Sequence, residues 1–237
     1  MIFRNVLETV DARAYGGDPD LLVEGITYDS RQVKPGFLFV AIKGFKADGH
    51  DYIAQAIKKG AAAIMAEREV ALPPGTAWVL VPDSRRAMAL LSTCFYGNPS
   101  SRMKMIGVTG TNGKTTTANL VSTVLKAAGQ KTGLIGTIHN KIGNRVLPVK
   151  HTTPEAPDLQ RLLSEMVAEG VDVCVMEVSS HALALHRVGG CEFDVAVFTN
   201  ITQDHLDFHR DMEEYMEAKL KLFSGLGVHG VKKGEKY

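Results

Sequence analysis

A run of glycines and threonines ending in lysine, Gly107-Val108-Thr109-Gly110-Thr111-Asn112-Gly113-Lys114-Thr115-Thr116-Thr117, lies between two different patterns. Before it comes an apolar stretch, Met103-Lys104-Met105-Ile106; after it comes a helical-looking segment, Ala118 to Ala128. Strand, glycine-rich loop, helix is the order in which a backbone can wrap a polyphosphate. The glycines permit close approach, and the amides at the helix start point at anionic oxygens. In such a loop Lys114 reaches the β- and γ-phosphates and the Thr115 hydroxyl faces Mg²⁺. The usual spacing, G-x-x-x-x-G-K-[ST], asks for glycine at position 108, where this chain has valine. The context predicts an α/β fold that binds a nucleoside triphosphate.

At 237 residues the chain has room for one large domain or two ordinary ones. Its 45% hydrophobic and 22% charged content is that of a soluble globular protein. No apolar run approaches the roughly 18 residues that a membrane span requires. Met1-Ile2-Phe3-Arg4-Asn5-Val6 lacks the basic-then-apolar profile of a secretory signal. A formal charge of +1 leaves no broad basic face, which disfavours nucleic-acid binding. The three cysteines, Cys94, Cys174 and Cys191, form no C-x-x-C pair, and Cys174 lies in an apolar run where a thiol packs as core. The expectation is a cytoplasmic monomer with neither a nucleic-acid nor a membrane partner.

A turn-forming cluster, Gly97-Asn98-Pro99-Ser100-Ser101, divides the chain into candidate domains 1–98 and 99–237. In the first, strands are expected at Gly36–Ile42, Ala61–Ala66 and Trp78–Val81. Helices are expected at Tyr52–Lys59 and, capped by Asp83 or Ser84, up to about Tyr96. In the second, apolar strands recur near 104–109, 132–137, 171–178 and 193–199, with a hairpin turning at Gly143-Asn144. A helix is expected over 155–169. Thr152 to Glu155 matches a capping box and Pro154 suits a first turn, while Leu159, Leu162, Leu163, Met166 and Val167 form one apolar face. Alternating strands and helices predict a mainly parallel, doubly wound sheet, with ligands at the carboxyl ends of the strands. The polar groups fall there. Ser179-Ser180-His181 follows the strand that ends at Val178, and Asn200-Ile201-Thr202-Gln203-Asp204-His205 follows the one that ends at Thr199.

Three residues carry candidate chemistry. Glu177 near the end of an apolar strand needs a positive partner, either Mg²⁺ beside Thr115 or an arginine or lysine. His205, in Asp204-His205-Leu206-Asp207-Phe208-His209, lacks the i, i+4 pairing of a zinc-protease helix; it serves either a second metal or phosphate site, or a helix-capping cluster. Lys219 shares a helix face with Met212, Met216 and Phe223, while Lys221 points away. There it either snorkels to solvent or is desolvated. A desolvated amine is enriched in its neutral form and can add CO₂ to give a carbamate.

Together these residues resemble the Mur ligase family, the ATP-dependent enzymes that build the peptide stem of peptidoglycan. The resemblance runs over essentially the whole chain. It is carried by Thr109-Gly110-Thr111-Asn112-Gly113-Lys114-Thr115, Thr152-Thr153-Pro154-Glu155, Glu177-Val178-Ser179-Ser180-His181-Ala182-Leu183, Phe198-Thr199-Asn200 and Asp204-His205-Leu206-Asp207. In the first domain Asp29-Ser30-Arg31 and Gly36-Phe37-Leu38-Phe39-Val40-Ala41 are similar to family patterns. The Thr-Thr-Pro-Glu and Glu-Val-Ser-Ser-His blocks favour the branch that adds the third residue to UDP-MurNAc-L-Ala-D-Glu. His151 stands where the family often has Asn, and Leu185 where some members have Gln.

The resemblance implies a small N-terminal UDP-binding α/β domain followed by a P-loop, doubly wound domain. Ser30 would contact the UDP moiety, with the loop Gly44 to Ala47 near the uracil. Thr109, Gly110, Thr111, Asn112, Gly113, Lys114 and Thr115 would hold ATP. Thr152, Thr153, Ser179 and Arg187 would hold the muramoyl-dipeptide. Thr115 and Glu177 would bind one Mg²⁺, while His205 and a carbamylated Lys219 would serve a second. Lys114, Lys219 and His205 would act in catalysis. The substrate's D-Glu carboxylate would be phosphorylated by ATP, and the amine of diaminopimelate or, alternatively, L-lysine would displace phosphate from the acyl phosphate. Members of the family are roughly twice as long, so the central domain is expected to be incomplete past Gly230 to Tyr237 and the chain alone inactive as a ligase. The rival readings are another Mur-type ligase, since the first-domain pattern is shared with the ligase for the next step; a folylpolyglutamate-type ligase, which an N-terminal Asp29-Ser30-Arg31 disfavours; and a non-catalytic nucleotide-sugar module.

Overall fold

The structure, a computed structural model, describes residues 1–45, 47–149 and 151–227; Lys46 of the expected uracil loop and the stretch from Gly230 to Tyr237 lie outside them. The chain forms two compact units, Met1–Phe95 and the residues from Tyr96 onward.

The first unit contains α1 (Phe3–Thr9), β1 (Ala14–Gly16), β2 (Gly25–Thr27), β3 (Phe37–Val40), α2 (Ile53–Lys58), β4 (Ala63–Ala66), β5 (Ala77–Leu80) and α3 (Ser84–Phe95). The sheet order is β1-β5-β4-β3-β2; β2 to β5 pair in parallel and β1 closes one edge antiparallel to β5. Successive strand residues point to opposite faces, and here both faces are covered. Leu38, Val40, Met65 and Val79 pack with α1 and α3 through Phe3, Val6, Met88 and Leu91. Phe39, Ile64 and Ala66 pack with α2 through Ile53 and Ala56. The Asp83 carboxylate accepts from the Arg86 amide at 2.9 Å, as expected of a cap on α3. The elements before residue 36 carry little periodicity, since α1 is one short helix and β1 and β2 have three residues each.

The second unit contains β6 (Lys104–Thr109), α4 (Lys114–Ala127), β7 (Thr132–Ile135), β8 (Asn140–Ile142), β9 (Arg145–Leu147), α5 (Ala156–Ala168), β10 (Val173–Glu177), α6 (Ser180–Ala184), β11 (Val195–Phe198) and α7 (Met212–Ser224). The sheet order is β11-β6-β10-β7-β8-β9, parallel from β11 to β7, with β8 and β9 as the expected hairpin about Gly143-Asn144. One face packs Met105, Cys174 and Met176 against Leu159, Leu163 and Met166 of α5 and Leu222 of α7. The other packs Val108, Leu134 and Val175 against Ala118 of α4. The chain runs from β6 to β7 on one side of it, and the later connection from β10 crosses to β11 on the other, so the edge at β6 is the switch point where ligands bind in such sheets.

Two local expectations are corrected. Thr152 to Glu155 does not form a capping box: Glu155 occupies the N-cap of α5 without a side-chain cap bond, and it is Pro157, not Pro154, that stands in the first turn. The Thr153 hydroxyl instead donates to Glu177 O at 2.9 Å, and Glu155 pairs with Arg187, so tertiary partners outcompete the local cap. The buried face of α7 is also turned relative to the expected one. Tyr215, Ala218, Lys219 and Leu222 are buried, whereas Met212, Met216 and Phe223 are only partly covered. Lys219 itself is 1% exposed, which excludes snorkelling.

Candidate active site

The carboxyl edge of the second sheet opens into a cavity of about 460 Å³ lined by residues from the loop after β6, the segment after β7 and the ends of β10 and α6. Its floor is the glycine-rich loop. Val108, where the common pattern has glycine, is fully buried as the penultimate residue of β6. The conformational demand falls two residues later. Gly110 has φ +139°, and a Cβ there would collide with Thr199 Oγ1 and lie 2.9 Å from Asn200 O. Gly113, at φ +81°, is the N-cap of α4. Lys114 wraps the loop, its Nζ donating to Gly110 O at 2.9 Å and Thr111 O at 2.7 Å. The end of β11 braces it: Thr199 Oγ1 donates to Asn112 O at 2.7 Å, Asn200 Oδ1 accepts from Asn112 N at 3.0 Å, and Thr111 N donates to Asn200 O at 2.9 Å.

Glu177 is 1% exposed at the end of β10. Neutral donors meet it: Thr115 Oγ1 donates to Oε2 at 2.8 Å, and Thr137 offers its amide to Oε1 at 2.8 Å and its hydroxyl to Oε2 at 3.0 Å. Gly136 makes room, since a Cβ there would collide with Glu177 Oε1. Thr115 and Glu177, expected to share a metal, are thus in direct contact. Among the described residues no three His, Cys, Asp or Glu side chains gather as a ready-made metal cage. The oxygens present are one carboxylate and two hydroxyls, a set that suits Mg²⁺, which keeps several waters and takes few protein ligands.

The substrate-side residues adjoin this cluster. Thr152 Oγ1 is 3.1 Å from Thr137 Oγ1, and the Thr153 hydroxyl also accepts from Ser179 N at 3.3 Å. Ser179 caps α6 by accepting from Ala182 N at 3.2 Å. Arg187 is held by Glu155 Oε1 at 2.9 Å and Thr153 O at 3.2 Å, with its Nε buried and unpartnered among the described residues. His205, at φ +55°, lines the same cavity and packs edge-on against His181 with ring centroids 4.9 Å apart. His181 stacks on Phe208 at 4.1 Å. Burial first, and then the neighbouring His205 and His209, push the His181 imidazole down to about 4, so it is neutral near pH 7.

Lys219 lies behind the loop and does not line the cavity. Its Nζ donates to Gly110 O at 2.8 Å and sits 4.2 Å from the centre of the Tyr215 ring. Burial first, and then the charge of Lys114, push its amine down to about 8. Burial lowers the Lys114 amine as well, against the opposing pull of Glu177 and Asp204. Ser30, in the first unit, is buried and donates to Gln55 Oε1 at 2.9 Å. Next to it Asp29 and Arg31 form a two-point ion pair, with both contacts 2.9 Å, which holds the Asp29 carboxyl well below its ordinary range.

Sequence reasoning missed Thr137, Glu155 and Tyr215 as members of this arrangement. The one available signal was for Thr137, which follows β7 on the same sheet edge. The contacts of Glu155 and Tyr215 depend on how distant helices dock. No helix among the described residues is long and apolar enough to cross a membrane.

Fold and site define a P-loop-type α/β protein, with a glycine-rich loop and a strand-end carboxylate at the switch point of a doubly wound sheet. Family models match both units: "Mur ligase middle domain" over residues 108–232 and "Mur ligase family, catalytic domain" over residues 22–96. The chain belongs to the Mur ligase family. It is 56% identical over 207 residues to UDP-N-acetylmuramoyl-L-alanyl-D-glutamate–2,6-diaminopimelate ligase of Caldanaerobacter subterraneus subsp. tengcongensis, a match covering 87% of this chain and 43% of that protein. A solved structure of a ligase of the same name superposes with TM-score 0.79 at 29% identity, over 95% of this chain and 46% of the other. The MurF ligase of Thermotoga maritima in complex with ADP superposes with TM-score 0.61 at 30% identity, over 87% and 44%. The chain thus spans less than half the length of the relatives it matches.

Proposed function

We propose that this chain carries the nucleotide-binding and UDP-muramoyl-dipeptide-binding parts of an ATP-dependent ligase that adds meso-diaminopimelate to UDP-MurNAc-L-Ala-D-Glu in cytoplasmic peptidoglycan synthesis, working as a monomer. The observation that carries the reading is the contact between Thr115 and Glu177 on a cavity that Arg187 also lines. A hydroxyl and carboxylate suited to a cation, and a guanidinium suited to a carboxylate, on one sheet edge support the reading. The names of the similar ligases support UDP-MurNAc-L-Ala-D-Glu as substrate and diaminopimelate, in preference to L-lysine, as the added residue.

The residues fit a triphosphate and Mg²⁺. The Thr109–Thr115 segment presents the start of α4, a 14-residue helix whose N-terminal amides favour phosphate oxygens. The cradle at Gly110 has no space for a side chain. ATP supplies the phosphoryl group, and Mg²⁺ held by Thr115 and Glu177 supplies positive charge against the crowded oxygens. Lys114 adds a cation at the loop. Arg187, fixed by Glu155 and Thr153, binds and orients the D-Glu carboxylate, with Thr152 and Ser179 offering hydroxyls beside it. Bringing two anions together is the main barrier, so preorganised positive groups do most of the catalysis. Transfer of the γ-phosphoryl group to the D-Glu carboxylate would release ADP and leave an acyl phosphate, from which the incoming amine, losing a proton, would displace inorganic phosphate to form the amide. For a second Mg²⁺ we assign His205, which lines the cavity, and Lys219 only as a carbamate, whose added carboxylate would have to replace the bond of the amine to Gly110 O. Ser30, with the loop that begins at Gly44, is assigned to the UDP end.

Calorimetric titration with UDP-MurNAc-L-Ala-D-Glu tests this reading, run on the parent chain and on Ser30→Ala and Arg187→Ala variants. Saturable binding that weakens in each variant is expected. Equal affinity in parent and Arg187→Ala would remove Arg187 from the substrate site; no binding by folded parent chain would overturn the assignment of substrate contacts to this chain.

A further inference from the structure

Helix α7 grips the glycine-rich loop at two consecutive residues, and neither of the two gripping side chains lines the cavity. Lys219 holds Gly110 O, and Tyr215, one turn earlier and fully buried, lies with its hydroxyl 3.1 Å from Thr111 Oγ1. Proton counting orients that bond. A threonine hydroxyl has one hydrogen and two lone pairs. The Thr111 hydrogen points to Thr202 O at 3.2 Å, and one lone pair takes the Thr202 amide at 3.0 Å. The remaining lone pair accepts from Tyr215, which satisfies both hydroxyls in a buried setting. Thr111 is thereby tied on its side chain to α7 and to the segment after β11, and on its amide to Asn200 O. Asn112, whose own amide is bonded to Asn200 Oδ1, then leads into Gly113 and Lys114 at the start of α4, beside the cavity.

We propose that Tyr215 is the positioning residue of the phosphate-binding loop: its hydroxyl latches Thr111 and so keeps the turn that leads to the Gly113 and Lys114 amides in the shape that receives a nucleotide. The proposal rests on the reading of this loop as the nucleotide site. Tyr215 touches no ligand; it acts through Thr111. Removing its hydroxyl while keeping the ring leaves the core filled, so the effect falls on loop order and on affinity more than on packing. The loss of one such bond corresponds to roughly a fivefold change in an equilibrium constant.

The test compares the 237-residue chain with Tyr215→Phe, Thr111→Val and the double variant, by two readouts. Nuclear magnetic resonance follows amide exchange at Thr111 and Asn112 without nucleotide, and calorimetry gives the Kd for a non-hydrolysable ATP analogue with Mg²⁺. Tyr215→Phe is expected to speed exchange and to weaken binding by roughly fivefold each, and to add nothing in the Thr111→Val background. Exchange and Kd within about twofold of the parent, even with a lowered Tm, would make Tyr215 a core residue only and overturn the proposal. An equally large effect of Tyr215→Phe without the Thr111 hydroxyl would overturn it too. If the parent binds no nucleotide, the reading of the loop falls, and the exchange comparison still decides whether Tyr215 holds it.

Discussion

The Thr115 hydroxyl donates to Glu177 Oε2 at 2.8 Å, joining the first turn of the helix after the glycine-rich loop to the end of the neighbouring strand. Side chains 62 positions apart in sequence thereby share one hydrogen bond at the point where a phosphate-bound cation would sit. Glu177→Gln would place an amide donor against the Thr137 amide and hydroxyl or leave the cation a poorer ligand. Calorimetry with an ATP analogue should show that Mg²⁺ strengthens binding to the parent but hardly to the variant. Equal Mg²⁺ dependence in both would take Glu177 out of the metal site.

The ion pair between Glu155 and Arg187 is shielded, with side chains 8% and 16% exposed. Glu155→Ala leaves the guanidinium half-satisfied in a poorly solvated place. A loss of about 3 kcal/mol is expected in urea unfolding, the lower end for breaking a buried pair. Affinity for UDP-MurNAc-L-Ala-D-Glu should fall with it. A change under about 0.5 kcal/mol, the ordinary spread for surface sites, would show the pair to be incidental.

Lys219 gives a pH signature. Its amine is pushed from the ordinary 10.5 to about 8, by burial and then by Lys114, so below about pH 8 the folded and unfolded chains both carry the ammonium and folding bears the cost of burying it. Between about 8 and 10.5 the unfolded chain keeps a proton that the folded chain has released, so stability rises with pH. The urea midpoint of metal-free parent should therefore climb over that window relative to Lys219→Met. At pH 7 roughly a tenth of such an amine is neutral, against about one part in a few thousand for a free lysine. In ¹³C-bicarbonate the parent should accordingly show a carbamate carbonyl resonance that Lys219→Met lacks.

Gly110→Ala tests the loop's backbone. At φ +139°, with Thr199 Oγ1 and the Asn200 backbone where the new methyl must go, the loop has to shift. About 1–3 kcal/mol of stability should be lost, and nucleotide binding should fall below detection. An alanine variant that binds as the parent does would show that the loop reaches its ligand in another conformation.

The glycine-rich loop was legible because its chemistry is local. Strand, loop and helix are adjacent in sequence, and the turns between them rest on glycines, Gly110 and Gly113, at positive φ. The parallel order of the second sheet was legible for a related reason: its strands are uninterrupted apolar runs, and each ends in polar residues. In the first unit, α1, β1 and β2 escaped notice because elements of three to seven residues are too short to establish a period.

Elsewhere the docking of distant elements overruled the local signal. Thr152 to Glu155 has the spacing of a helix cap, yet Thr153 turns to the Glu177 carbonyl and Glu155 to Arg187. The apolar positions of α7 place its buried face about one residue from where it lies; Lys219 belongs to both faces, but only packing against the loop brings Tyr215 inward. By itself the sequence determined the fold class, the glycine-rich loop and the sheet edge on which the polar groups gather. Tertiary structure decided which of those groups touch. Periodicity reports that a face is buried, but a hydrogen bond needs a partner within about 3 Å, and that distance is set by side chains brought together from across the fold.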